Sequence, residues 1–154
     1  MLVDVAAAAL VVDTATAGLL QLSGAGGARV REWYRTLRGG AYAMDVLSLV
    51  VGAYVAMRAA PDALWAQLAA VVAVQMAHDL AFGAFVRSKA ARGPLMGLFR
   101  RYAEEMGASV LWADALMCVS TVLLARGLAR LSTSDTAAIG AVAAYVGLLV
   151  VYSF

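Results

Sequence analysis

Five blocks of about twenty apolar residues, separated by short polar breaks, leave this chain few ways to fold. A helix of that length rises about 1.5 Å per residue and crosses the ~30 Å hydrocarbon core of a bilayer. The blocks run over residues 2–22, 40–57, 63–86, 103–125 and 136–154. They lack the period-two alternation of barrel strands, and in lipid a helix satisfies its own backbone. The expected fold is therefore all-α, an integral membrane helical bundle forming one domain over residues 1–154. The count is four to five transmembrane helices, because Asp13 interrupts the first block.

Composition points the same way. The chain is 64% hydrophobic and 14% charged, against about 45–50% apolar and about 25% charged in a globular domain. So few polar residues cannot clothe a water-soluble core. The implied partner is a lipid bilayer. A net charge of +2 is too small to argue for nucleic acid. A single cysteine, Cys118, excludes an intrachain disulfide and dithiol redox chemistry. Met1-Leu2-Val3-Asp4 has no basic n-region, so no cleaved signal is expected and the first block is retained.

The breaks are Ser23 to Gly27, Pro61-Asp62, Gly93-Pro94, and Ser132 to Asp135, which reads as a helix N-cap. Basic residues divide unevenly between them. Arg29, Arg31, Arg35 and Arg38 follow the first block. Arg87, Lys89, Arg92, Arg100 and Arg101 follow the third. Only Arg58, Arg126 and Arg130 lie in the other two loops. The positive-inside rule places loops 23–38 and 87–101, and the C-terminus with them, on the cytoplasmic-equivalent side.

Two lead-ins resemble each other. Trp33, Tyr34, Arg35 and Arg38 precede the second block; Arg100, Arg101 and Tyr102 precede the fourth. Both mix aromatic and basic residues, as interfacial segments do. Each leads to Asp-x-Leu-x-x-Val: Asp45, Leu47, Val50, and Asp114, Leu116, Val119. The pattern suggests a parallel internal repeat about an axis along the membrane normal.

Ionisable residues inside apolar helices are the functional candidates. An aspartate at the bilayer centre costs ~2.5–3.5 kcal/mol on insertion scales, so such groups turn inward and find partners. Gln67, Gln75, His78 and Asp79 fall on one stripe of the third helix; Glu104, Asp114, Cys118 and Thr121 on one stripe of the fourth. The expected intramembrane polar network is Asp45, Gln75, His78, Asp79, Glu104 and Asp114. It reads either as cross-helix hydrogen bonding or as a proton or ion pathway. Arg100–Glu104 and Arg101–Glu105 fit i,i+4 pairs. Gly140, Ala143, Ala144 and Gly147 offer the last helix a small-residue face, for self-association or for other transmembrane subunits.

No catalytic motif, metal site or cofactor is expected. His78 is the only histidine, without the helical spacing of a metal pair, and suits a core hydrogen bond better than an axial haem or pigment ligand. Gly24-Ala25-Gly26-Gly27 lacks the strand and Gly-Lys-Ser/Thr of a phosphate loop.

His78-Asp79-Leu80-Ala81-Phe82, Arg92-Gly93-Pro94, Phe99-Arg100-Arg101-Tyr102-Ala103-Glu104-Glu105 and Ala113-Asp114-Ala115-Leu116-Met117 resemble a pattern found in uncharacterised multi-pass membrane proteins of large DNA viruses of algae and protists. Trp33-Tyr34 and Asp45-Val46-Leu47 fit it too, so the resemblance covers residues 33–154, with Ala115 where the pattern often has serine. It implies a viral or virus-derived membrane protein and carries no activity. The expected function is a non-enzymatic structural or assembly component of such a membrane. Two alternatives stand beside it: an accessory subunit of a photosynthetic or respiratory complex, and a small proton- or ion-conducting protein.

Overall fold

Each apolar block closes into an α-helix, as the backbone demands in hydrocarbon. The computed structural model describes every residue of the chain except Lys89. Five helices are long and apolar enough to cross a membrane: α1 (Leu2–Ser23), α3 (Gly39–Ala59), α4 (Leu64–Arg87), α6 (Ser109–Leu128) and α7 (Thr133–Val151). Two shorter amphipathic helices, α2 (Gly27–Leu37) and α5 (Pro94–Met106), lie between them. The chain is thus an all-α multi-pass membrane bundle. Lys89, counted among the basic residues of the third loop, lies outside the described residues.

The fourth block differs from its expected bounds. Instead of one helix from residue 103, the chain ends α5 at Met106, turns at Gly107 and starts α6 at Ser109. Gly107 makes the turn at φ 53°, a left-handed value that glycine adopts without penalty. Glu104 therefore belongs to α5 and not to the stripe of Asp114. Pro94 opens α5, where its missing N–H leaves no intrahelical bond unmade.

The same turn joins α2 to α3. Arg38 holds φ 49° and ψ −124°; Gly107 holds φ 53° and ψ −134°. Arg38 is the one non-glycine residue with positive φ among the described residues. Its N–H donates to the Tyr34 carbonyl (2.8 Å), and its guanidinium lies 5.4 Å from the Tyr152 ring centre. A shift of 69 residues carries Arg38 onto Gly107, Asp45 onto Asp114, and Leu49, Ala53 and Ala56 onto Cys118, Val122 and Ala125. All six of those side chains are buried on α3 and α6. The repeat unit is an amphipathic helix, a left-handed turn and a spanning helix. In this register Trp33, not Tyr34, is the counterpart of Tyr102.

Helix α1 stands outside the repeat, yet it packs against α3, α6 and α7. Val5, Ala7, Ala8, Ala9, Asp13 and Ala17 are buried along it. The block that hydropathy left uncertain is the spine of the bundle. Its closest partner is α7, whose small residues Gly140, Ala143 and Gly147 face inward. A Cβ on Gly140 would stand 3.2 Å from that of Ala7. One on Gly147 would collide with the Tyr42 ring and approach the Thr14 hydroxyl to 2.6 Å. Tyr42 and Thr14 share a hydrogen bond (2.8 Å), and Thr14 donates to the Ala143 carbonyl (3.0 Å). The small-residue face of the last helix is thus filled by α1 of the same chain.

At one end of the bundle lie α2, α5 and the C-terminal residues. Gln21 Nε2 donates to the Ser153 carbonyl (2.8 Å), Arg35 Nε to the Phe154 carbonyl (2.6 Å), and Phe154 stacks on Tyr34. At the other end Arg126 donates to Gln67 Oε1 (3.1 Å), while the Gln67 amide donates to the carbonyls of Ala60 and Pro61. A dry core of Leu49, Ala53, Ala56, Val71, Val122 and Ala125, backed by α1, separates this polar latch from the other half.

Candidate functional site: an acid-lined cavity under two amphipathic helices

Each repeat sets one aspartate seven residues beyond its turn, about 10 Å down the spanning helix at 1.5 Å per residue. Asp45 comes from α3 and Asp114 from α6. Asp79 lies eight residues before the end of α4, and Asp13 ten before the end of α1. All four therefore sit about 10–15 Å from the same end of the bundle. They line one cavity of about 380 Å³. Its roof is made by α2 and α5 through Trp33, Tyr34, Phe99 and Tyr102; Phe82 and His78 come from α4.

The carboxylates differ in their partners. Asp45 Oδ2 accepts from Trp33 Nε1 (3.4 Å) and the Tyr34 hydroxyl (3.3 Å), so the roof is tied to α3. Asp79 Oδ1 accepts from Gln75 Nε2 (2.7 Å) and meets His78 Nδ1 (3.1 Å). Cys118 Sγ donates to Gln75 Oε1 (3.4 Å), which links α4 to α6. Asp13 is 1% exposed and neither of its oxygens has a hydrogen-bond partner; Asp79 Oδ2 is likewise buried and unpaired. A buried carboxylate with no donor is costly in any interior, and more so in lipid.

The roof helices are pinned to each other by ion pairs. Glu32 on α2 accepts from Arg29 and from Arg101 of α5, both at 2.6 Å. These hydrogen bonds hold its carboxyl below the usual glutamate range. Arg29 is correspondingly pushed up, first by its hydrogen bond to Glu32 and then by charge from Glu32 and Glu105. Glu105 Oε1 accepts the backbone N–H groups of Ala28 (3.1 Å) and Arg29 (3.4 Å), a cap on the first turn of α2 supplied by α5. Burial pushes the phenols of Tyr34 and Tyr102 far up; nearby carboxylates, Asp45 first for Tyr34 and Asp114 first for Tyr102, add to it. The Tyr34 hydroxyl donates to Asp45 as a neutral phenol.

Of the residues expected to form the intramembrane network, Asp45, Gln75, His78, Asp79 and Asp114 meet around this cavity. Glu104 does not. It is exposed on α5, since the break at Gly107 turns it away from the α6 stripe. His78 sits at the rim with 56% of its side chain exposed, rather than in a packed core. Asp13 joins the cavity residues, although in the sequence it counts only as an interruption of the first apolar block. Among the interfacial residues, Trp33, Tyr34 and Tyr102 turn inward as cavity wall, while Arg35 and Arg38 hold the C-terminal residues. Arg100 donates to the carbonyls of Val86 (3.0 Å) and Ala91 (3.3 Å), and Arg101 reaches Glu32. These replace the expected pairs along α5, because cross-helix partners stand closer. Among the described residues, no three His, Cys, Asp or Glu side chains converge as a metal-ligand set.

This geometry defines a class, a helical membrane protein with a one-ended acidic cavity. No family model, curated protein or solved structure matches the chain.

Proposed function

We propose that this chain is a cation-binding membrane protein, the counterpart of the ion-handling alternative from sequence, with Asp13, Asp45, Asp79 and Asp114 as its charged wall. The observation that carries the reading is Asp13, buried, facing the cavity and unpartnered at both oxygens. A bundle built for packing alone would hand such a group a donor, as Asp45 receives Trp33 and Tyr34. A buried, unpaired carboxylate in lipid calls for a positive charge or a proton from outside the protein. The dry alanine-rich half beneath the cavity argues for a binding pit and against an open pore. The arginine-rich end, from which the pit is roofed, faces the cytoplasm or its equivalent by the positive-inside rule.

The scaffold reading draws on the viral resemblance and on the tight alanine packing; its own check is presence of the protein in purified virions. The accessory-subunit reading would use the outer face of α7, with Val142, Tyr145 and Leu149 exposed, since α1 fills its small-residue face.

Proteoliposomes carrying a pH-sensitive dye test the proposal. Addition of a monovalent cation, alkali or organic, on the arginine-rich side is expected to release protons on that side, with no flux across the bilayer. Asp13→Asn combined with Asp114→Asn is expected to abolish this release. If wild type and the double variant behave alike, the cation reading is wrong.

A further inference from the structure

We infer that the four-aspartate cavity takes an organic ammonium ion, a quaternary or tertiary amine bearing an apolar body, rather than a bare metal ion. The inference rests on the cation-binding reading and names its substrate class.

Size is the first argument. A cavity of about 380 Å³ falls in the range of small-molecule sites, whereas one water occupies about 30 Å³ in the liquid. A dehydrated alkali ion would leave most of it empty. Charge placement is the second. The carboxylates come from four different helices and do not converge on one point. A divalent ion needs several oxygens within about 2–2.6 Å of a single centre. A bulky cation with a diffuse charge needs them spread around its body.

The wall supplies the third. Trp33 lies 4.9 Å from Phe99 and 6.4 Å from Tyr102, between ring centres, and Phe99 meets Phe82 edge-on at 4.9 Å. These four rings, from α2, α5 and α4, form a continuous aromatic surface that lines the same cavity as the aspartates, with Trp33 bonded to Asp45. Aromatic faces attract alkylated ammonium groups and stabilise their apolar substituents at the same time. Asp13 is the fourth. Its carboxylate is buried with no protein donor at either oxygen, so a cation meets it at no loss of existing bonds. Two sources carry this chemistry, a free organic amine and the choline headgroup of a lipid.

Full-length protein in phosphatidylglycerol nanodiscs, which contain no ammonium group, tests the inference. Trp65 and Trp112 face outward, so Trp65→Phe with Trp112→Phe leaves Trp33 as the fluorescent reporter in the cavity wall. Titration with benzyltrimethylammonium is expected to give a saturable Trp33 change. Asp13→Asn is expected to weaken it roughly tenfold or more, and Phe99→Leu severalfold. Neopentylbenzene, the uncharged isostere, is expected to give no saturable change. Choline-lipid nanodiscs that suppress the titration identify the lipid headgroup as the source; an unchanged titration identifies a free amine. Equal binding of the neutral isostere overturns the inference. So does the absence of benzyltrimethylammonium binding, and if proton release in proteoliposomes persists the cation reading survives it. Loss of both sinks both. Should Asp13→Asn not fold, Asp114→Asn with the same pair of ligands decides.

Discussion

Asp13 weakens the hydropathy of its helix and becomes the most telling side chain of the cavity. An unpaired buried carboxylate costs stability, so the structure predicts opposite signs at two aspartates. Asp13→Asn removes a group with nothing to lose and is expected to raise the thermal unfolding midpoint in detergent. Asp45→Ala strands the donors of Trp33 and Tyr34 and is expected to cost about 1–3 kcal/mol in the same assay. Two glycines give a second contrast. Gly147→Ala drives a methyl into Tyr42 and Thr14 and is expected to cost about 1–3 kcal/mol. At Gly18 an added methyl meets nothing within 4 Å, and Gly18→Ala is expected to be neutral or to stabilise by under ~1 kcal/mol.

Helices α2 and α5 act as a pair, joined by charges that lie in the aqueous interface. Glu32 has its pKa lowered in the fold from an ordinary value of 4.5. A carboxyl lowered in this way contributes its stabilisation above 4.5 and loses it as pH falls through the lowered folded value. The protection factors of the α2 amides, hydrogen exchange corrected for its own pH dependence, are therefore expected to fall below pH 4.5. Glu32→Gln is expected to remove that acid dependence while leaving α2 more open at neutral pH. Unchanged acid dependence in Glu32→Gln would assign it to another group. At the opposite end, Ser132 caps α7 by accepting from the Asp135 N–H at 3.1 Å. Ser132→Ala is expected to cost about 0.5–2 kcal/mol in thermal unfolding. The Ser-x-x-Asp spacing announced this cap, because capping depends on a few neighbouring residues. The roof pairs span sequence separations of about seventy residues, and local spacing favoured the wrong partners.

The bundle as a whole combines two parallel repeats with an extra helix. Five crossings place the two ends of the chain on opposite faces, and the arginine-rich helices on the same face as Phe154. Single cysteines introduced in a Cys118→Ala background test this. Cysteines at Ala25 and Ala90 are expected to react with an impermeant maleimide from one side of sealed vesicles, and those at Asp62 and Ser134 from the other. Labelling of Ala25 and Asp62 positions from the same side would break the five-helix topology. The repeat also explains the one-ended cavity. Both copies carry their aspartate near the same face, so the polar groups gather there and leave the other half to alanine.

Helix formation, five apolar spans and the clustering of arginines in two loops were legible in the residue order. They follow from summed hydropathy, backbone hydrogen bonding and charge counts, which add along a chain whatever its partners. The matching motifs around Asp45 and Asp114 were visible for the same reason, as local strings. The turn at Gly107, the role of α1 and the meeting of four aspartates were not. They depend on which face of each helix turns toward which neighbour, and hydropathy sums over faces. Asp13 counts against its block in such a sum and for the cavity in three dimensions. Glu104 shares a helical stripe with Asp114 only if one helix runs through Gly107, and a single left-handed backbone angle separates them.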